Sequence, residues 1–311
     1  MKILQSPPEA VDDLPGYAFE RSSVDVPAGD GQTLRMHLVD TGPADAPVVV
    51  MLHGNPSWSY LWRHQIGPVV DAGYRVIVPD LVGMGMSDKP SELDDYTVAA
   101  HVGWTRALLV DALALSDITF VLHDWGGIIG MRLAAEVPGL VARMSISNTG
   151  LPWRDITEPL PDVIEASGPY AGFQEMARTA PVWEPWTLLP MVMATEPSPE
   201  VVEGYRAPYP DPSLTIGSRA FTQLLPTRPD NPMYAANHAA WAVLDEWTKP
   251  VLTIYSDKDL VAPDGWQPIV ERIPGAAGQP HVILEGGGHF LQEDIPDAFN
   301  DVLIPWLETT A

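Results

Sequence analysis

Short apolar runs alternate with helical patterns along most of the chain. Between two such runs, one stripe of side chains recurs at spacings of three or four and predicts a helix that packs on a sheet: Val98, Val102, Thr105, Leu109 and Ala112. This repeated alternation predicts βαβ units and a mostly parallel sheet. The predicted strands are Leu34 to Val39, Val48 to Leu52, Arg75 to Val78, Ile118 to Leu122, Met144 to Ser147, Val251 to Tyr255 and His281 to Leu284.

The alternation stops between residues 151 and 232. No long β-rich run occurs there, and fifteen of the 33 prolines fall in this stretch. The sheet pattern resumes at Val251, so we interpret 151–232 as a helical cap inserted into one core domain, residues 1–150 and 233–311. Such a cap covers the carboxyl edge of the sheet, where open α/β folds bind ligands. The predicted fold class is therefore α/β, a doubly wound sheet with an inserted helical cap.

Composition narrows the possible functions. The 311 residues are 46% hydrophobic and contain no cysteine, which permits a large core and excludes disulfides, thiolate metal sites and cysteine nucleophiles. A formal charge of -24 disfavours nucleic acid as a partner, and this acidity fits either life at high salt or a solubility trait. The chain has neither a signal-peptide core nor the roughly 18 apolar residues of a membrane span, so we expect a cytoplasmic protein without a membrane partner.

The sequence around Asp124 is typical of a reactive turn. The predicted strand 118–122 leads through Asp124 and Trp125 into two glycines and a helix from Ile128 to Glu136. This arrangement resembles the nucleophile elbow GxSxG, with Asp in place of Ser and Leu122 in place of the first glycine. A carboxylate is already ionised at neutral pH, and its attack on saturated carbon gives a stable ester. The alternative is that Asp124 only caps the helix.

A base and an acid follow the elbow along the chain. His289 lies in a glycine-rich loop directly after the predicted strand 281–284. Asp257 and Asp259 both follow the predicted strand 251–255, and the order Asp124, Asp259, His289 is that of α/β-hydrolases. A carboxylate at the second position would orient and stabilise the imidazole. We assign this role to Asp259, which precedes an apolar pair, with Asp257 as the alternative.

Two further residues could bind an anion. The loop after the predicted strand 48–52 contains Asn55, and Trp125 follows the elbow residue. In this fold the corresponding backbone N–H groups form the oxyanion hole. The side chains of Asn55 and Trp125 also carry N–H donors that could hold a departing anion. The alternative is that Asn55 is a turn residue before a proline and Trp125 belongs to the core.

Together these motifs resemble the haloalkane dehalogenase family over residues 16–306. The resemblance is carried by HGNPSWSYLWR, DLVGMGMSDKP, DWGG, APYPD and GGHFLQED. It implies an α/β-hydrolase fold with a helical cap, no cofactor and no metal, and a small apolar halogenated substrate with water and halide. It also implies that Asp124 is the nucleophile, His289 the base, Asp259 the acid, and Trp125 a halide donor.

The second halide donor is where the chain departs from the branch that it most resembles. That branch uses a cap tryptophan, and Phe173 stands at the apparent position. Other branches use the asparagine of the HGNP loop, so we assign Asn55, with Trp183 and Trp186 as alternatives. A third branch places its acid where this chain has Asn148, which leaves Asp259 as the acid.

Two other functions stay open at this point. An epoxide hydrolase has the same nucleophile and base but needs cap phenols, which Tyr170, Tyr205, Tyr209 or Tyr234 could supply. A non-catalytic small-molecule receptor on the same fold would not need an intact Asp, Asp, His set. The oligomeric state, the preferred halogen and the physiological substrate do not follow from the sequence.

Overall fold

The centre of the molecule is an eight-stranded sheet. The computed structural model describes residues 1–29, 31–158, 165–168 and 170–309. Strand order is β10-β9-β8-β7-β4-β5-β3-β2; β2, β3 and β5 pair antiparallel and the other neighbours pair parallel. The strands, with a separate two-stranded pair formed by β1 and β6, are β1 Ile3–Leu4, β2 Arg21–Pro27, β3 Thr33–Thr41, β4 Val48–Leu52, β5 Arg75–Pro79, β6 Lys89–Pro90, β7 Ile118–His123, β8 Val141–Ser147, β9 Val251–Ser256 and β10 Val282–Leu284.

Helices cover both faces of the sheet and fill the connection between β8 and β9. The α-helices are α1 Arg63–Asp71, α2 Val98–Arg106, α3 Trp125–Glu136, α4 Ala171–Thr179, α5 Leu189–Val192, α6 Pro199–Arg206, α7 Ile216–Gln223, α8 Met233–Leu244, α9 Trp266–Arg272, α10 Leu291–Asp294 and α11 Pro296–Thr309. The short 3₁₀ helices are Pro8–Val11, Ser59–Trp62, Leu93–Asp95, Pro185–Leu188, Pro212–Thr215 and Pro274–Ala276.

Strand β7 lies in the middle of the core. All of its residues are buried, and because successive side chains point to opposite faces, they join two different apolar clusters. Phe120 and Leu122 pack in one cluster with Ile129, while Val121 packs in the other with Trp62. Burial on both faces explains why this strand reads as a continuous apolar run. It also fixes the end of β7, from which Asp124 projects.

The predicted cap region forms no strand among its described residues. Helices α4 to α7 lie within 151–232, and the region is hydrogen-bonded to the core at several points. The Trp58 indole donates to the Gly204 carbonyl at 3.1 Å, and the Gly85 backbone N–H donates to the Tyr209 hydroxyl at 2.9 Å. Residues 159–164 and 169 of the predicted cap lie outside the described residues, and its exact boundaries stay a prediction.

Two elements differ from the sequence-based expectation. Strand β2 was not predicted, because among Arg21–Pro27 only Val26 is fully buried and the rest is polar or half exposed. The predicted helix 96–115 begins at Val98, where the Thr97 side chain accepts the Ala100 N–H at 3.0 Å, and it widens to a π-helix at Ala107–Ala112. In the part of the chain that the structure describes, no helix is long and apolar enough to span a bilayer.

Candidate active site

Asp124 lies at a sharp turn between β7 and α3. Its backbone is left-handed, with φ 50° and ψ -126°, a conformation that costs a non-glycine residue on the order of 1–3 kcal/mol. The turn needs glycine at position 126, where an added Cβ would lie 2.3 Å from the Leu52 carbonyl oxygen. Although Asp124 occupies the N-cap position of α3, its carboxylate accepts no N–H of that helix. The carboxylate is therefore available to other groups.

His289 connects two carboxylates. Its Nε2 lies 3.2 Å from Asp124 Oδ2, and its Nδ1 lies 3.0 Å from Asp259 Oδ1. Asp259 is also held by the backbone N–H groups of Val261 and Ala262, at 2.8 and 3.2 Å. Asp257 is exposed and accepts the Gly286 N–H at 2.7 Å. The fold thus brings together Asp124, His289 and Asp259, while Asp257 binds the backbone of the loop at Gly286.

The loop that carries His289 is fixed by residues that the sequence analysis did not assign. The Asn148 amide donates to the carbonyls of Gly288 and His289, at 2.9 and 3.0 Å. The His123 imidazole also donates to the His289 carbonyl, at 2.8 Å. Their positions in the sequence could have identified them, because Asn148 directly follows β8 and His123 is the last residue of β7.

Burial and charge set the protonation of this group. Burial alone raises the pKa of Asp124 and of Asp259, but the hydrogen bonds and positive charge of His289 outweigh it and hold both pKa values below their usual range. Burial lowers the pKa of His289, whereas the charge of Asp259 and its bonds to both carboxylates raise the pKa to about 10. In the resting protein at neutral pH, His289 is therefore an imidazolium between two carboxylates.

The opposite side of Asp124 carries donors. The Asn55 backbone N–H lies 2.7 Å from Asp124 Oδ1. Within the described ranges, neither the Asn55 side-chain amide nor the Trp125 indole N–H has a hydrogen-bond partner, although the Asn55 Oδ1 is buried. Trp125 is 4% exposed, and its ring centroid lies 5.2 Å from that of Phe221. Trp125 therefore combines a core position with an unused donor.

A cavity of about 990 Å³ borders Asp124 and Trp125. Its lining is largely apolar and includes Ile128, Leu151 and Trp241, together with the charged side chains of Arg154 and Arg272. Among the described residues that line it, neither Asn55 nor His289 occurs. The nucleophile candidate and the indole thus face a space large enough for an organic substrate.

The cap tryptophans that were alternatives for halide binding are engaged elsewhere. The Trp183 indole donates to the Ser218 hydroxyl at 3.1 Å, and its ring packs against Phe173 with centroids 6.1 Å apart. Trp186 stacks on Tyr209 with centroids 6.5 Å apart. None of these five residues is among the described ones that line the cavity.

The four tyrosines differ in position. Tyr205 donates to the Glu293 carboxylate at 2.6 Å, and Tyr209 accepts the Gly85 N–H, so both belong to contacts with the core. Tyr170 and Tyr234 line the cavity, but their hydroxyls donate to the carbonyls of Val261 and Pro226. Within the described chain, no group of three His, Asp or Glu side chains could hold a metal ion.

Comparison with known proteins agrees with this architecture. A family model described as the alpha/beta hydrolase fold matches residues 47–183, as the predicted fold class requires. A haloalkane dehalogenase of Mycobacterium marinum is 41% identical over 306 residues, covering 98% of this chain and 100% of that protein. The tetrameric structure of haloalkane dehalogenase DpaA from Paraglaciecola agarilytica superposes with a TM-score of 0.83 at 27% identity, over 99% of this chain and 97% of that chain.

A relative with a different name matches less of the chain. The cis-3-alkyl-4-alkyloxetan-2-one decarboxylase of Xanthomonas campestris pv. campestris is 35% identical over 237 residues, or 74% of this chain and 75% of that protein. The dehalogenase of M. marinum is more similar and spans nearly the whole chain. Together with the Asp124, His289 and Asp259 geometry, this full-length similarity shows that the chain belongs to the haloalkane dehalogenase family.

Proposed function

We propose that this protein hydrolyses the carbon–halogen bond of haloalkanes to an alcohol, a halide ion and a proton, through an ester on Asp124. The observation that carries the proposal is the position of the Asp124 carboxylate, which borders a largely apolar cavity and is hydrogen-bonded to His289, whose other ring nitrogen is bonded to Asp259. A lowered pKa keeps this carboxylate ionised at neutral pH without any separate base.

In the first step, Asp124 Oδ2 attacks the halogenated carbon in line. Oδ1 is held by the Asn55 backbone N–H at 2.7 Å, and we assign the attack to Oδ2, whose longer bond of 3.2 Å to His289 Nε2 is given up as the ester forms. The bond between carbon and halogen breaks with its electron pair on the halide, which accepts hydrogen bonds from the Trp125 indole and the Asn55 amide. In a site from which water is excluded, such donors stabilise a developing anion strongly. The product of this step is an alkyl ester and a bound halide.

Formation of the ester changes the acidity of His289. An alkylated Asp124 has no charge, so one of the two carboxylates that raise the pKa of His289 to about 10 is lost. The imidazolium then releases a proton more easily and becomes a neutral base. The Asp259 carboxylate still holds Nδ1–H and directs the free Nε2 electron pair towards a water molecule.

In the second step, His289 takes a proton from water and the hydroxide oxygen attacks Cγ of Asp124. The negative charge develops on Oδ1, where the Asn55 N–H already lies at 2.7 Å. The bond between Cγ and Oδ2 then breaks, and the alkoxide leaves with the proton from His289. Asp124 keeps the oxygen of water, and the alcohol carries away the former Oδ2. The second proton of the water passes from the new Asp124 carboxyl group to His289, which restores the resting pair of carboxylate and imidazolium.

Measuring bromide and butanol from 1-bromobutane tests this proposal. Wild-type protein should release both in equal amounts, and Asp124→Ala, checked for intact folding by circular dichroism, should release none. In ¹⁸O-labelled water, a single turnover should place the label in Asp124 and not in the first butanol. Bromide release by Asp124→Ala, or label in the first butanol, would rule out the ester mechanism.

Comparison of substrates separates haloalkane hydrolysis from two alternatives, epoxide hydrolysis and lactone decarboxylation. Epoxide hydrolysis requires a phenolic proton, and the two tyrosines that line the cavity donate theirs to backbone carbonyls. The similarity to an oxetanone decarboxylase makes a cis-3,4-dialkyloxetan-2-one the sharper control. If the protein released carbon dioxide from this lactone but no bromide from 1-bromobutane, its activity would be that of a decarboxylase and not of a dehalogenase.

A further inference from the structure

Two acidic residues in the loop of His289 have no part in the mechanism above. Glu293 and Asp294 end the GGHFLQED motif, four and five residues after His289, and lie on the short helix α10. Each carboxylate binds a different part of the segment 192–206, which we call the docking segment. It comprises the end of α5, the following turn and α6.

Glu293 joins three parts of the chain. Its side chain is 2% exposed, and both of its oxygens accept bonds from the Arg63 guanidinium, at the start of α1. The Tyr205 hydroxyl in α6 donates to the same carboxylate at 2.6 Å. The Tyr205 ring packs on Phe290 with centroids 5.7 Å apart, and Phe290 is the neighbour of His289. A buried bidentate pair of this kind has a well-defined geometry.

Asp294 binds the turn between α5 and α6. One of its oxygens accepts the backbone N–H groups of Ala194 and Gly288, at 2.8 and 2.9 Å, and the other accepts that of Thr195 at 2.8 Å. The Phe290 N–H donates to the Val192 carbonyl at 2.9 Å. The packing is close, since a Cβ on Gly288 would lie 2.6 Å from the Ala194 nitrogen.

These contacts attach both chain neighbours of His289 to the docking segment. Gly288 is bound through Asp294, and Phe290 is bound directly to Val192. Displacement of the His289 backbone relative to Asp124 therefore requires movement of this part of the predicted cap. Hydrolysis of the ester needs the imidazole in position, and a displacement of about 1 Å in a catalytic group can cost roughly 100-fold in rate. Attack by Asp124 makes no comparable demand on the imidazole.

We propose that Glu293 and Asp294 are positioning residues, which make ester hydrolysis through His289 depend on docking of the segment 192–206. This inference rests on the proposed function for its kinetic consequence. Loss of a docking contact should slow the second chemical step and leave the first nearly unchanged. Loss of a cap contact elsewhere should not change the ratio of the two steps.

Rapid-quench kinetics with 1-bromobutane separate the two steps in Tyr205→Phe and Asp294→Asn. We expect a bromide burst within about 2-fold of wild type, a 10- to 100-fold slower decay of the ester, and accumulation of alkylated protein in intact-mass spectra. Tyr209→Phe is the matched control, because Tyr209 is also a buried cap phenol but its hydroxyl binds Gly85. If Asp294→Asn fails to fold, Thr195→Val removes the hydroxyl that donates to Asp294.

Hydrogen exchange at residues 288–290 provides a readout that does not require activity. Exchange should be faster in Tyr205→Phe than in wild type and unchanged in Tyr209→Phe. Equal slowing of both steps, or exchange that is the same in the two variants, would overturn the inference and leave a purely structural role. A wild-type protein without a bromide burst would count against the proposed function, and the exchange comparison would still decide whether docking fixes the loop.

Discussion

Asp124 has polar groups on two sides, which differ in whether their hydrogen-bond donors and acceptors have partners. We call them the base side, with His289 and Asp259, and the halide side, with Trp125 and Asn55. On the base side, His289 uses both ring nitrogens, and Asp259 accepts from the imidazole and from two backbone N–H groups. On the halide side, the Trp125 indole and the Asn55 amide have no partner within the described chain. Polar groups of buried residues are nearly always paired, so the unpaired indole N–H of Trp125, which lines the cavity, is suited to bind a ligand that is itself an acceptor.

In the proposed mechanism, each side serves a different chemical step. The base side is complete before substrate arrives, and its imidazolium must lose a proton before it can act as a base. In the proposed mechanism, the donors on the halide side find an acceptor only when the halide forms. Substitutions on the two sides should therefore change different chemical steps.

Replacing the base should have the largest effect. His289→Phe should release about one bromide per protein molecule and then stop, because only ester hydrolysis needs the imidazole. Intact-mass spectrometry after exposure to 1-bromobutane should show one butyl group, which peptide mapping places on Asp124. An unmodified protein would mean that the base side also serves the first step.

The two carboxylates after β9 should differ strongly. Asp259→Asn should slow ester hydrolysis on the order of 100- to 10,000-fold, because the imidazole loses its orienting carboxylate. Asp257→Asn is the matched control and should stay within about 2-fold, since Asp257 is exposed and binds only a loop N–H. Single-turnover decay of the alkylated protein measures both. The reverse ranking would transfer the acid role to Asp257.

Removing a halide-side donor should have a smaller effect on the other step. Asn55→Ala keeps the backbone N–H and loses the amide, which should slow carbon–bromine cleavage roughly 5- to 150-fold and barely change ester hydrolysis. The control is Trp183→Phe, which removes an indole bound to Ser218. Normal cleavage by Asn55→Ala with slow cleavage by Trp183→Phe would assign the second donor to the cap.

A change of pH should alter the rates of the two chemical steps less than the substitutions do, but the direction of the change is well defined. Protonated His289 cannot accept a proton, so hydrolysis of the ester should become faster as pH rises through the pKa of His289. In the alkylated protein this pKa lies below the value of about 10 in the resting protein, because the charge of Asp124 is absent. Single-turnover rates between pH 5 and 10 should show a midpoint well below 10 for hydrolysis, while the bromide burst should stay nearly flat.

The sequence predicted the sheet well because strands buried on both faces are apolar throughout. Residues 118–122 and 251–255 were predicted within one residue of β7 and β9. The alignment of Asp124, His289 and Asp259 at one edge of the sheet also followed from chain order, since each comes after a predicted strand. The fold class was confirmed by the family match.

The supporting contacts could not be predicted in the same way. Tyr205 and Glu293 lie 88 residues apart, and Asn148 and His289 lie 141 apart, so no local spacing indicates either pair. Asn148 was considered only as a residue that is not an acid. The contact of its amide with the His289 loop depends on how β8, β9 and that loop pack side by side in the folded protein. The assignment of Asn55 as halide donor stays a prediction.

The left-handed backbone of Asp124 has a consequence for laboratory evolution of this protein. A glycine at this position would adopt φ 50° without the backbone cost that aspartate bears, but it would lose the bonds of the carboxylate to the Asn55 N–H and to His289. Selection for thermal resistance alone acts on the sum of these contributions and does not depend on the chemistry of the proposed nucleophile. A selection for turnover is therefore needed beside it, because thermal resistance by itself does not require an aspartate at this position.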